Sequence, residues 1–127
     1  MSYNDYCFVC GTENPHGLGL SFSSSGGKIT SEFVPAPAYQ GYKDITHGGI
    51  IASVLDEAMI QAAIAEGITP VTAEIRIRFK RPLAVNARAL VEAEIIRKGS
   101  KLLEAQSRLF DCSDGDIIAE ASAKLVR

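Results

Sequence analysis

One helix with almost no polar side constrains this chain more than any other feature. Ile50-Ile51-Ala52-Ser53-Val54-Leu55-Asp56-Glu57-Ala58-Met59-Ile60-Gln61-Ala62-Ala63-Ile64-Ala65 runs without Pro or Gly. Ala, Leu and Met are good helix formers. Gly67 is a natural stop, so the pattern predicts a helix over residues 47–66. A helix apolar nearly all round is normally buried on most sides. The rest of the chain must therefore supply walls for it.

Those walls read as strands. After Pro70 the apolar period changes to two: Ala73, Ile75, Ile77 and Phe79 alternate with Thr72, Glu74, Arg76, Arg78 and Lys80. Pro82 ends that strand, and Ala87 to Ile96, Leu103 to Phe110 and Ile117 to Val126 follow, with turns at Gly99-Ser100 and Asp114-Gly115. Four consecutive strands with tight turns predict an antiparallel meander. Upstream, residues 18–34 read as a hairpin about Gly26-Gly27, which supplies positive φ. The expected fold is α+β: one curved antiparallel sheet wrapped around that central helix.

With 127 residues, the chain is expected to be a single domain, 1–127. Folding a chain of this size buries about two-thirds of its surface, enough for a core without staples. Residues 1–17 form a leader of turn formers, with Cys7-Phe8-Val9-Cys10-Gly11 and Asn14-Pro15-His16-Gly17. Lys and Arg number 13 against 15 Asp and Glu, which argues against a nucleic-acid partner. No apolar run reaches the roughly 18–20 residues that span a bilayer, so no membrane partner is expected. Met1-Ser2-Tyr3-Asn4-Asp5 has no basic or apolar signal region. With only three cysteines, the expectation is a cytoplasmic protein with reduced thiols.

The helix start is the first candidate site. Thr46-His47-Gly48-Gly49 puts two glycines where first-turn N–H groups lack helical partners. Such a terminus can hold an anion or polarise a carbonyl oxygen; a glycine turn required by packing explains the residues equally well. Helical geometry separates the two acids that follow. Asp56 falls with Gly49, Ala52 and Ala63 on a narrow stripe of small residues, while Glu57 falls with Ser53 and Gln61 on a polar face. An acid on a small-residue stripe can act as base or nucleophile, or simply bond a neighbouring strand. Cys7-x-x-Cys10 has the spacing of half a zinc site, with His16, His47 and Cys112 as remaining donors, or is two small buried hydrophobes in a turn. No second CxxC exists and the Cys₂His₂ spacing is not met, so neither metal nor other cofactor is expected. Arg76, Arg78 and Lys80 share one strand face, as phosphate partners or as a solvated surface.

Tyr39-Gln40-Gly41, followed by His47-Gly48-Gly49 and the run through Leu55-Asp56-Glu57-Ala58, resembles the signature of PaaI-like hotdog-fold thioesterases. The leader is similar to one found in a branch of that group, and Ala73 to Leu83 fits the strand after the helix. The resemblance implies a hotdog fold, a long central helix wrapped by a curved five- to six-stranded antiparallel sheet, and an acyl-CoA thioesterase with the substrate bound between two copies of the chain in a homodimer or a dimer-of-dimers tetramer. It implies that Asp56 is nucleophile or general base and that Gly49 N–H of the partner subunit polarises the thioester carbonyl. Thr72 would help to place the water. Gln40, His47, Gly48, Glu57 and Arg81 would surround the substrate, with His47 shaping the loop. The Gln40–His47 loop is one residue longer than in related sequences, and Tyr39 and Asp44 stand where those often have His and Gly. Two other roles suit the fold: a binding protein for acyl-CoA without turnover, and an enoyl-CoA hydratase or dehydratase. The latter needs a proton-moving His, and only His16 and His47 exist.

Overall fold

The structure, a computed structural model, describes residues 4–127, so the first three residues of the leader lie outside it. Its elements are β1 (Ser23–Ser25), β2 (Lys28–Phe33), α1 (Gly48–Ile64), β3 (Val71–Phe79), β4 (Ala89–Lys98), β5 (Leu102–Asp111) and β6 (Ile117–Val126). A single turn of 3-10 helix, Pro37–Tyr39, precedes α1. All six strands join one antiparallel sheet in the order β1-β2-β4-β5-β6-β3. The sheet curves around α1, which is the hotdog arrangement.

α1 buries Ile51, Val54, Leu55, Ala58, Met59, Ala62 and Ala63 against the concave face. The sheet answers with Val91, Leu103, Leu109 and Leu125, all fully buried. Each large side chain removed from water here contributes about 1.5–3 kcal/mol. The helix ends as its sequence predicts. Gly67 takes φ 80°, and Ile68 N–H closes the end on Ala63 O at 3.0 Å.

Two expectations about the strands need correction. The four later strands are not one sequential meander: β4, β5 and β6 are, but β3 pairs with β6 at the far edge, and β4 pairs with β2. The physical cause is the link between β3 and β4, too long for a tight hairpin and stiffened by Pro82. It crosses the end of the domain, where Leu83 O accepts from Thr46 N–H and Asn86 N–H donates to Pro35 O. The first hairpin is also shorter than the alternation suggests. Gly26 and Gly27 do turn it, with φ 59° and 80°, but only Ser23–Ser25 pairs with β2. Leu18 and Leu20 are instead tied to the leader, through N–H groups donating to Phe8 O and Val9 O.

The far edge of the sheet is open. β3 pairs on one side only, and Val71, Ile75 and Phe79 stay 72%, 37% and 53% exposed. Its register with β6 breaks between Thr72 and Glu74. That irregularity leaves Ala73 as an extra residue, and a bulge of this kind re-aims its neighbours.

Candidate active site

Asp56 stands near the middle of α1, half-buried, and points towards β3. Thr72 Oγ1 donates to Asp56 Oδ1 at 2.7 Å. Strict alternation would put Thr72 with Glu74 and Arg76 on the outer face. The bulge reverses it: Thr72 pairs with buried Leu125, whereas Glu74 pairs with Lys124. The hydroxyl orients the carboxylate and occupies one oxygen. Among the described residues Oδ2 has no hydrogen-bond partner.

The helix start is capped by an imidazole. His47 is the N-cap residue, and its Nδ1 accepts from Gly49 N–H at 2.8 Å. A Cβ on Gly49 would stand 3.1 Å from that nitrogen, so glycine lets the ring close over its own helix. His47 N–H in turn donates to Tyr39 O. The amide implied as the carbonyl donor thus carries a partner, held by an exposed side chain. Gly48 N–H, first in the turn, has none among the described residues. Beside it runs a groove lined by Thr46, Gly48, Ile51, Phe79 and Arg81. Thr46 Oγ1 is buried there without a hydrogen-bond partner.

Several residues implied as substrate contacts are engaged elsewhere. Gln40 staples its own loop, donating to Pro37 O and accepting from Asp44 N–H. Arg81 lies 2.9 Å from each of the carboxylates of Asp111, Asp114 and Asp116. The Asp114 hydrogen bond leads in raising the Arg81 pKa, and Asp111 adds to it. Asp111 is held below the usual carboxylate range, first by its bonds from Ser113 and then by Arg81. Arg76 and Arg78 share a groove with Arg108 and Glu120 on the outer sheet face, opposite α1. That groove is larger than the one at the helix start and carries three arginines against one carboxylate, but Asp56 does not line it.

Glu57 points neither at Asp56 nor at the groove. Its Oε1 accepts from the Cys7 thiol at 3.6 Å, and its Oε2 from Cys10 at 3.5 Å and from Gln61 Nε2 at 2.9 Å. Burial pushes the Cys10 thiol up, with Cys7 and the Glu57 charge adding to it. By sequence the further donors for the CxxC are His16, His47 and Cys112; among the described residues the structure groups Glu57 with the two thiols instead. The available signal was Glu57 and Gln61 one turn apart, a polar pair on an otherwise apolar helix.

The sequence profile of the thioesterase superfamily matches residues 44–118, well over half of the chain. The chain belongs to the thioesterase superfamily. Mouse acyl-coenzyme A thioesterase THEM4 is 24% identical over 115 residues, covering 87% of this chain and 50% of the mouse protein. This superfamily member therefore spans about half the length of that curated relative. Escherichia coli PaaI, from the phenylacetic acid degradation operon, superposes with a TM-score of 0.80 at 20% identity, over 87% of this chain and 84% of PaaI. The smu.793 protein of Streptococcus mutans, solved bound to acetyl CoA, gives 0.79 at 16% identity, over 85% and 88%. At such identities the structural likeness establishes the hotdog fold. No helix among the described residues is long and apolar enough to cross a membrane.

Proposed function

We propose that the chain is an acyl-CoA thioesterase, converting a thioester and water to a carboxylate and free CoA. The observation that carries the reading is the Asp56–Thr72 pair: a carboxylate oriented through one oxygen, with the other open. Superfamily membership and the acyl-CoA thioesterase among its relatives support the substrate class. Asp56 takes a proton from water while the water oxygen bonds to the thioester carbon. The carbonyl π electrons move to oxygen, and the tetrahedral intermediate collapses as C–S breaks and CoA thiolate leaves. In the alternative route Asp56 itself attacks and water hydrolyses the resulting anhydride.

The oxyanion donor has to come from a second copy of the chain. Gly49 and Asp56 are seven residues apart on one helix, about 10 Å along its axis at 1.5 Å per residue. A reacting carbonyl needs both within about 3 Å. Two antiparallel helices related by a twofold axis would bring each Gly49 opposite the partner's Asp56. The open β3 edge supports such pairing. Carbonyl binding then displaces His47 Nδ1 from Gly49 N–H, and His47 is free to swing because it is exposed.

A panel of acyl-CoA thioesters, followed by release of free thiol, tests the activity and its substrate together. Turnover well above the uncatalysed rate is expected for at least one chain length. Tight binding of acyl-CoA with no hydrolysis would sink the enzyme reading and leave a binding protein. Thr72→Ala removes a hydrogen bond to a charged group, worth about 1.5–3 kcal/mol. It is expected to lower kcat about 10- to 100-fold with KM little changed, read on the best substrate of the panel.

A further inference from the structure

We propose that Cys7, Cys10 and Glu57 form a zinc site that clamps the leader to α1, on a different side of the helix from Asp56. Their ligand atoms all lie within 4.8 Å of one another. The two sulfurs stand 3.6 and 3.5 Å from separate oxygens of the one carboxylate. In a tetrahedral site, Zn–S and Zn–O bonds of about 2.3 and 2.1 Å put sulfur and oxygen about 3.6 Å apart. Each sulfur therefore stands near coordination spacing from its own carboxylate oxygen, with all three donor atoms within 4.8 Å.

The backbone around them is built to hold that arrangement. A Cβ at Gly11 would lie 2.4 Å from both Asp5 O and Cys7 N, so only glycine closes this turn. Gly11 N–H donates to Cys7 O at 2.9 Å, and Cys10 N–H donates to Cys7 Sγ at 3.4 Å. Amide donation to sulfur favours a thiolate ligand. Around the carboxylate, Gln61 Nε2 donates to Glu57 Oε2 at 2.9 Å and reaches Cys10 Sγ at 3.5 Å. Such outer partners fix the orientation of first ligands. No fourth Cys, His, Asp or Glu joins the group among the described residues. Three protein donors leave one tetrahedral position for water.

The third donor separates this reading from its rivals. A CxxC disulfide requires no carboxylate, and two buried hydrophobic thiols would not converge on one. Glu57 comes from 50 and 47 residues away in sequence. Two thiolates select zinc over calcium or magnesium, which take oxygen ligands. Binding releases both thiol protons, leaving two thiolates and a carboxylate on the cation. The clamp would join a leader with little core of its own to the residue next to Asp56.

The test uses the full chain with zinc or cobalt(II) as the probe. One equivalent of zinc is expected to bind, and cobalt(II) should give a sulfur-to-cobalt charge-transfer band and the strong visible bands of a tetrahedral site. Loss of an outer partner alone weakens metal sites about 10- to 100-fold. Cys10→Ser and Glu57→Gln, which remove ligands, should weaken binding at least that much. Thiol labelling of the wild type gives a readout that does not depend on variants folding. All three cysteines should react without zinc, and only exposed Cys112 with it. Equal labelling in both conditions and no charge-transfer band would overturn the proposal. A cobalt spectrum and affinity unchanged in both Glu57→Gln and Glu57→Ala would overturn it too.

Discussion

Asp56→Asn is expected to lower kcat/KM for acyl-CoA hydrolysis by about 10²- to 10⁴-fold while leaving the fold intact. The range is that of a positioned general base. Asparagine keeps the carboxylate's shape and can still accept from Thr72 Oγ1 through its own Oδ1, so the local bond survives. What it loses is the ability to take a proton from water or to attack the thioester. Binding should therefore persist and kcat should carry the loss. Thiol release by wild type and variant, with a denaturation curve for each, separates lost chemistry from lost structure. Full activity in Asp56→Asn would remove the residue from the mechanism. Single-turnover hydrolysis in heavy-oxygen water then distinguishes the two routes, since label enters the Asp56 side chain only if it is the nucleophile.

Ile75→Lys is expected to dissociate the proposed dimer and abolish hydrolysis with it. Ile75 and Phe79 face the concave side of β3, yet they remain 37% and 53% exposed at the sheet edge. Nearby Val71 is 72% exposed. Folded proteins usually protect such an edge with charge, proline or a cover. Here the edge strand turns its charged residues Glu74, Arg76 and Arg78 to the outer face and leaves apolar ones inside. Burying a whole isoleucine contributes about 1.5–3 kcal/mol, of which the 37% of Ile75 still exposed accounts for about 0.5–1 kcal/mol. A twofold interface counts each substitution twice, so the lost burial is about 1–2 kcal/mol. That raises the dimer dissociation constant by about 5- to 30-fold, before the desolvation of two lysines and the repulsion between them. Sedimentation measures the association and thiol release measures the activity. A fully active monomer at assay concentration would defeat the half-site argument, because Gly49 and Asp56 of one chain are about 10 Å apart.

The helix was legible because its composition leaves one solution: residues without a polar side must be wrapped. Its observed bounds, Gly48–Ile64, lie within the stretch the pattern marks. The strands were legible from alternation, but their order was not, since alternation says nothing about which edge a strand joins. The β3–β4 link carried that information only weakly, through its length and Pro82. Among the site residues, the separation of Asp56 from Glu57 followed from 100° per residue. Glu57, a substrate contact by resemblance, accepts in the structure from two thiols near the start of the chain. That partnership spans too much sequence for any local pattern to hold.

The sequence by itself determined the central helix, its need for a sheet around it, the glycine-bearing start and the two acids on different faces. These follow from local propensity and periodicity, which act over a few residues. Only the tertiary structure decided which side of β3 Thr72 would take. Alternation from Phe79 back to Glu74 aims Thr72 outward, and one extra residue at the bulge turns it inward onto Asp56. Register is set by pairing with β6 and by packing on the helix, not by the strand's own pattern. The same long-range pairing left β3 at an open edge, where half of the proposed site awaits a second copy.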